Sequence, residues 1–506
     1  MPRLREVLAA AGIDAARIAG DPEVDSVVYD SRQARAGAAF VAVSGFHVDG
    51  HAFARDAVVA GAVAVVAERE PDPPLPEGTP FVVVADSRVA LSALAAALAG
   101  DPSRDLLVAG ITGTDGKTTT ATLLWSAWRA AGLGAGSLTT IDTRCGDEVT
   151  ANTSRQTTLE AVELQDALAG MRSRGCTHVA LETSSHALAL HRVDDIAYRC
   201  AVYTRVTSEH LEVHGDRDSY LAAKARLARM VAERPDGIAV LDRTDNFAFP
   251  VLMGIGAATS ITYSADPAIA ADARAVAVRG GSAGAEFDLR SPWGDATVRL
   301  QLPGRFNVAN ALAAITTACA TGADLGQAVA GVESLDHVTG RMQRVDLGQP
   351  FNVVVDYAHT AESLETVLRE LREITAGRLW VVFGSAGERD VDKRPAMGAV
   401  AARLADRVVL TDEDPRGEDR GHILGDIASG ARGGGAVEGE TLWIVPDRAE
   451  AIAHAVAAAA DGDTVLLAGK GHEGSVILAS GPVPWNERRE AERAIRERLG
   501  APPDPA

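Results

Sequence analysis

Gly113, Gly116, Lys117 and Thr118 fall in one short segment, Gly110-Ile-Thr-Gly-Thr-Asp-Gly-Lys-Thr-Thr-Thr120, directly after the apolar run Leu106-Leu-Val-Ala109. These residue types describe an anion site. Glycines let successive backbone N–H groups turn toward one phosphate, a lysine adds a point charge, and a threonine hydroxyl can ligate Mg²⁺. Thr114, Asp115 and Thr119 complete the loop. The ordinary P-loop has its first glycine where Ile111 stands, so this is a variant loop with Gly110 and Gly113 in offset positions. A glycine-rich strand-to-helix turn can serve structure alone, but the Gly116-Lys-Thr step is what a nucleoside triphosphate requires.

Other groups follow at apolar segment ends. Glu182 closes Thr177–Leu181, and an acid at the carboxyl end of a parallel strand beside a phosphate loop is placed to ligate Mg²⁺. Glu209, His210 and His214 lie in Thr204–Gly215, with Lys224 shortly beyond. Singly each serves as well in packing or at the surface; clustered after one sheet they point to a second metal or phosphate site.

Elements that position such groups must be an α/β arrangement. In 506 residues, at roughly 150 per domain, about three domains are expected. Short apolar runs at Val27–Tyr29, Ala39–Val43, Ala62–Val66 and Phe81–Val84 alternate with helical spacing, and the helix Val89–Ala99 stops at Gly100-Asp-Pro102. The first domain is therefore 1–101. The second, 102–337, runs phosphate loop, helix and strands Thr177–Leu181, Cys200–Thr204 and Gly237–Leu241, with antiparallel strands expected over 260–303 and a helix Val308–Thr321. The third, 338–506, restarts the alternation with strands Asn352–Asp356, Leu379–Phe383, Arg407–Thr411, Leu442–Val445 and Thr464–Ala468, a mostly parallel sheet covered on both faces.

The balance of 69 acidic against 49 basic residues, net −20, argues against nucleic acid or an anionic membrane as the partner. Cys145, Cys176, Cys200 and Cys319 are widely spaced, which signals neither a disulfide framework nor a zinc site and fits a reducing cytoplasm. The start Met1-Pro-Arg-Leu-Arg-Glu lacks a signal core, and no apolar run reaches the ~18 residues of a membrane span.

Six ordered motifs carry a resemblance over nearly the whole chain: Gly113-Thr-Asp-Gly-Lys-Thr-Thr, Glu182-Thr-Ser-Ser-His, His210-Leu-Glu-Val-His-Gly, Gly304-Arg-Phe-Asn-Val-Ala-Asn, Asp356-Tyr-Ala-His-Thr and Gly469-Lys-Gly-His-Glu. The chain resembles the Mur ligase family, the ATP-dependent amino-acid ligases of peptidoglycan precursor synthesis. The resemblance implies a three-domain architecture with a central P-loop parallel sheet and a Rossmann-like C-terminal domain. Within the family it is most similar to the enzymes that add the third stem-peptide residue, a diamino acid, to UDP-N-acetylmuramoyl-L-alanyl-D-glutamate through an acyl phosphate. It implies a cytoplasmic protein, a monomer, whose partners are small molecules (the UDP-sugar dipeptide, the diamino acid and ATP), with Mg²⁺ as cofactor.

Roles then carry over by residue. Lys117 and the loop from Gly113 to Thr119, including Thr114, Asp115, Gly116 and Thr118, would hold ATP phosphates; Thr118 and Glu182 would ligate one Mg²⁺, and His210 with a carbamylated Lys224 a second. Carbamylation makes sense because an ammonium cannot ligate a cation. Asn307, Arg341, Asp356 and His359 match nucleotide contacts. Ser31, Phe46, His47 and Val48 match the uridine-binding segments, and Thr157, Thr158, Ser184 and Arg192 the sugar-peptide contacts. The amino-acid pocket would draw on Arg389, Glu413-Asp414-Pro415-Arg416, Gly469 and Glu473.

Several positions depart from the family pattern. Asp115 stands for an asparagine, Leu190 for a glutamine, Arg205 and Glu209 for asparagine and aspartate, and Glu413-Asp414 for Asp-Asn in the diaminopimelate enzymes. Arg416 can clamp a second carboxylate, which favours meso-2,6-diaminopimelate; an unpaired Asp414 would repel it and favour lysine or ornithine. The expected resolution is that Asp414 pairs with a neighbouring arginine or holds the distal ammonium. A nucleotide-switch module with a degraded ligase site, and a ligase of a specialised peptide pathway, are the other readings; an intact Lys224, Glu182 and His210 set argues against the first.

Overall fold

The structure, a computed structural model, describes residues 1–500 other than 16–17, 46–47, 155, 208, 210 and 282–283, and of residues 211 and 212 the backbone alone. Phe46, His47 and His210 thus lie outside the described residues. The chain divides into two compact units, Met1–Ser264 with Ile269–Ala273 and Ala311–Gly331, and Ala265–Ala268 with Arg274–Asn310 and Val332–Ala506.

The first unit contains two sheets. Ser26–Val28, Ala38–Val41, Ala64–Ala67 and Phe81–Val83 pair in parallel, in chain order. The larger sheet has Leu107–Thr112 near its middle, flanked in parallel by Tyr198–Tyr203 and His178–Glu182. Beyond these lie Ile238–Asp242 and Thr259–Ser264 on one side and Ala135–Leu138 on the other, all parallel. Leu107–Thr112 is apolar on both faces, as a central parallel strand with helices on both sides requires. An antiparallel hairpin, Asp142–Cys145 with Glu148–Ala151, extends the far edge.

That placement makes the carboxyl ends of the central strands one functional rim. Leu107–Thr112 delivers the phosphate loop, His178–Glu182 delivers Glu182, and Tyr198–Tyr203 delivers the Thr204–Gly215 segment. The helix Arg217–Ala232 starts on an Asp216 cap that accepts the Ser219 N–H at 2.7 Å. Its buried stripe, Tyr220, Leu221, Lys224, Leu227, Ala228 and Val231, follows helical spacing and turns one lysine inward.

The second unit has three antiparallel strands, Ala273–Gly281, Gly284–Ser291 and Gly294–Leu300. Its main sheet runs Asn352–Val355, Thr464–Leu467, Leu379–Phe383, Arg407–Leu410, Leu442–Ile444 in parallel, with Gln343–Arg344 antiparallel at the edge. The strand last in sequence lies between the first two long ones. Helices cover both faces over separate apolar clusters, one around Leu368, Phe383 and Ile427, the other around Trp380, Ile452 and Ile495. Fully buried Arg448 pairs with Glu487 at 2.5 Å and ties the last helix, Glu487–Leu499, to the sheet.

The strands named from the sequence recur with one correction, and Ala135–Leu138 and the hairpin Asp142–Cys145 with Glu148–Ala151 are additions to them. Thr259–Ser264, expected in an antiparallel set, adds in parallel to Ile238–Asp242, because the helix Ala248–Ile255 supplies a crossover. All four cysteines are free, and the buried thiols of Cys145 and Cys176, distant in sequence, approach to 2.9 Å. Among the described residues no helix is long and apolar enough to cross a membrane.

Candidate active site

The phosphate loop is shaped by close approach. Gly113 has φ +155°, and a Cβ there would lie 1.8 Å from Thr204 Oγ1. Gly116, at φ +84°, is the left-handed entry to the helix Lys117–Ala130, whose first-turn N–H groups have no intrahelical acceptor. The neighbouring strand end holds the loop: the Thr114 N–H donates to Arg205 O at 2.8 Å, and Thr204 Oγ1 donates to Asp115 O at 2.7 Å. Arg205, one of the departures from the family pattern, supports the loop through its backbone carbonyl. Asp115 is exposed. Lys117 Nζ donates to Gly113 O (3.1 Å) and Thr114 O (2.7 Å), within the loop it is expected to complete.

Thr118 and Glu182 meet. The hydroxyl donates to the carboxylate at 3.0 and 3.1 Å, both residues are buried, and the Thr140 N–H fixes Glu182 Oε2 at 2.9 Å. Two hard oxygens held by their neighbours fit Mg²⁺, which takes one or two protein ligands beside waters and substrate phosphates. Among the described residues no three acid, histidine or cysteine side chains gather as a metal cluster.

Lys224 is fully buried, with Nζ 2.7 Å from Gly113 O, 3.5 Å from Thr112 Oγ1 and 4.5 Å from the Tyr220 ring. Burial, then the nearby Lys117 ammonium, pushes its amine well below the usual lysine range. The unprotonated amine is the form that adds CO₂, and the downward shift favours that form. Tyr220 OH lies 3.2 Å from Thr114 Oγ1, and its ring packs against His214, which lies 3.1 Å from Ser185 Oγ.

Thr158, Ser184 and Arg192 are brought together. Thr158 Oγ1 donates to Glu182 O at 2.8 Å and accepts the Ser184 N–H at 3.0 Å, and Arg192 donates to Thr158 O at 3.2 Å and pairs with Glu160 at 2.6 Å. Thr157 adjoins them in sequence and is half-buried; Ser31 opens a short helical turn capped by Asp30, and Val48 is exposed.

In the second unit, Asp356 accepts the N–H groups of Met342 (2.7 Å) and Ala358 (2.8 Å). The Arg341 guanidinium lies 4.5 Å from the Tyr357 ring centre, whose other neighbours are His359 and His472. Burial, then Arg341, Lys470 and His359, lowers His472 to about 3, so its imidazole is neutral. Asn307 is buried and donates to Pro303 O at 2.7 Å.

Two loops of the same unit hold the acidic and basic candidates. The Gly387 N–H donates to Asp414 O at 2.8 Å, and a Cβ on Gly387 would strike Pro415 O at 2.2 Å. Asp414 is paired, but with Lys470 (2.8 Å) rather than an arginine; the nearby Arg420 pairs with Asp412 instead. Gly469, at φ +99°, would bring a Cβ to 3.2 Å from Glu413 Oε2. That oxygen and Arg416 Nε are buried atoms with no hydrogen-bond partner. Arg389 is exposed beside Glu388, and Glu473 pairs with Lys470.

Three family profiles match in order: "Mur ligase family, catalytic domain" over residues 23–98, "Mur ligase middle domain" over 111–318, and "Mur ligase, glutamate ligase domain" over 340–471. A Roseiflexus UDP-N-acetylmuramyl-tripeptide synthetase is 46% identical over 494 residues, covering 94% of this chain and 95% of the relative. The chain belongs to the Mur ligase family. A Streptomyces coelicolor UDP-N-acetylmuramoyl-L-alanyl-D-glutamate–2,6-diaminopimelate ligase is 42% identical over 487 residues (95% of this chain, 94% of the relative). A solved UDP-N-acetylmuramoyl-L-alanyl-D-glutamate–2,6-diaminopimelate ligase superposes with TM-score 0.65 at 30% identity, covering 94% and 95% of the two chains. As a Mur ligase, the protein is an ATP-dependent, ADP-forming ligase with small-molecule substrates.

In this Mur ligase, sequence reasoning missed Thr140, whose contribution is a backbone N–H, and Tyr220, whose signal was its position one helical turn before Lys224. It also missed Lys470, which lies inside a quoted motif but received no role. Replacing Gly113 by alanine is expected to displace the loop from Thr204, costing on the order of 2 kcal/mol and removing ADP binding. Thermal unfolding with and without ADP measures both; an ADP-induced rise in Tm equal to the parent's would refute it.

A pH prediction concerns the loop at Arg389. Fully buried Arg394 donates to both oxygens of Glu418 at 2.7 Å, and Arg394 followed by the Glu388 N–H holds Glu418 down at about 2. A carboxylate ordinarily titrates near ~4.3. The contribution is therefore present above that value and lost as pH falls toward about 2. Glu418→Gln should flatten the fall of Tm over that acid window, and an unchanged slope would count against it.

Proposed function

We propose that this Mur ligase joins meso-2,6-diaminopimelate to UDP-N-acetylmuramoyl-L-alanyl-D-glutamate in peptidoglycan precursor synthesis. ATP phosphorylates the D-glutamyl side-chain carboxylate, the diamino acid's amine attacks the acyl phosphate carbon, and the tetrahedral adduct expels phosphate. Lys117 and the loop amides hold the ATP phosphates and offset the charge that develops on the transferred group. Asn307, Arg341, Asp356 and His359 contact the nucleotide, and Thr158, Ser184 and Arg192, with Ser31, Val48 and Thr157, the UDP-sugar peptide. Thr118 and Glu182 hold one Mg²⁺, and carbamylated Lys224 with His210 a second, the metal supplying neutralisation of phosphoryl charge.

The observation that carries the substrate is the pair of buried, unsatisfied atoms in one turn, anionic Glu413 Oε2 and cationic Arg416 Nε. Buried polar atoms without partners are costly, and a zwitterionic amino-acid end supplies an ammonium and a carboxylate at once. Diaminopimelate has such an end besides the one that reacts. Lysine or ornithine is the second reading, which an unpaired Asp414 would favour; here Asp414 pairs with Lys470. The domain limits 1–101, 102–337 and 338–506 are proposed with it; the three profiles fall within them. We read the protein further as a monomer, to be checked by sedimentation, and as cytoplasmic, which four unbridged thiols support.

Purified protein given ATP, the UDP-sugar dipeptide and each diamino acid decides the substrate, with phosphate release and product mass as readouts. Diaminopimelate is expected to be ligated best. Lysine or ornithine turned over about tenfold better would overturn the assignment.

A further inference from the structure

Lys470 is fully buried, and its ammonium donates to Asp414 Oδ1 at 2.8 Å and to Glu473 Oε2. Asp414 Oδ1 also accepts the Ile477 N–H at 2.9 Å, and the next turn is pinned by the Arg416 N–H donating to Ile477 O at 2.9 Å. One cation therefore joins the two segments that supply the amino-acid pocket, and it touches the acid that distinguishes this chain from the diaminopimelate pattern. Glu473 is held on its other side by Tyr357 OH at 3.4 Å.

We propose that Lys470 is a positioning and specificity-determining residue of the amino-acid pocket. It cancels the charge of Asp414, so that an acid at this place does not repel a carboxylate at Arg416, and it fixes the Glu473 carboxylate for an incoming ammonium. This rests on the proposed diamino acid ligation. The local charge of Asp414, Glu473 and Lys470 sums to one net negative, and buried charges act strongly at short range. Selectivity between a substrate with two carboxylates and one with a single carboxylate should follow that sum.

The test is the ratio of diaminopimelate to lysine preference, measured both as dissociation constants and as kcat/KM, in the parent, Lys470→Met, Asp414→Asn and the double variant. Lys470→Met makes the cluster more negative and should lower the ratio about tenfold; Asp414→Asn makes it neutral and should raise the ratio; the double variant restores the parent's sum and should match it within about threefold. A lysine that serves packing alone would change both substrates together and leave the ratio still. That result, or a double variant equal to Asp414→Asn, overturns the proposal. If Lys470→Met fails to fold, the other three proteins still discriminate, because only coupling to Lys470 returns the double variant to the parent's ratio. A parent that prefers lysine refutes the substrate reading, while the order among variants continues to test Lys470.

Discussion

Lys224→Ala is expected to abolish ligation while the protein stays folded. The amine is enclosed, held well below the usual lysine range by burial, and directed at the phosphate-loop carbonyl of Gly113, so its replacement removes the group whose carbamate would supply a metal-binding carboxylate there. The loss expected is at least about 10³-fold in kcat, since phosphoryl transfer depends almost wholly on charge neutralisation and positioning. Alanine cannot be carbamylated, so bicarbonate should not help, whereas formate or acetate can enter the space and return part of the activity. Phosphate release by the purified variant measures the effect, and circular dichroism checks the fold. Full activity would refute the assignment of Lys224.

Arg416→Ala is expected to lower kcat/KM for the diamino acid about 10²-fold and leave the KM for ATP unchanged, because a charge-assisted bond to a buried carboxylate contributes roughly 2–3 kcal/mol. Arg416 sits at φ +55°, a conformation that costs a non-glycine residue free energy. Arg416→Gly is a useful companion: it relieves the backbone but loses the guanidinium. Equal loss of activity in the two variants, with a higher Tm for glycine, would place the function in the side chain. If both variants kept parental kcat/KM, Arg416 would have no part in the pocket.

What could be read from the sequence follows the range of the interactions involved. Central strands such as Leu107–Thr112 and Leu379–Phe383 are apolar throughout because both faces are covered, and such runs stand out. Glu148–Ala151 is exposed along its length, so its hairpin has no apolar signature. Glu182 and Thr118 could be placed together because each ends or follows a parallel strand at one rim. The partner of Asp414 could not, since Lys470 is distant in sequence and only the insertion of Thr464–Leu467 into the sheet brings it near. Arg205 departs from the family pattern in its side chain, whereas its contact with the loop is made by its carbonyl and could not be read from residue type.

That inserted strand also orders events during synthesis. Asn352–Val355 and Leu379–Phe383 leave the ribosome early, yet neither pairs with the other; both pair with Thr464–Leu467. Until that strand emerges, the edges that will be the middle of the sheet stay open, and Arg448 waits still longer for Glu487 on the last helix. Chain elongation proceeds residue by residue, at about 5–20 per second. The sheet of the second unit therefore cannot close before Thr464–Leu467 emerges, and a nascent chain stalled before Thr464 presents two unpaired apolar strand edges for chaperones to cover.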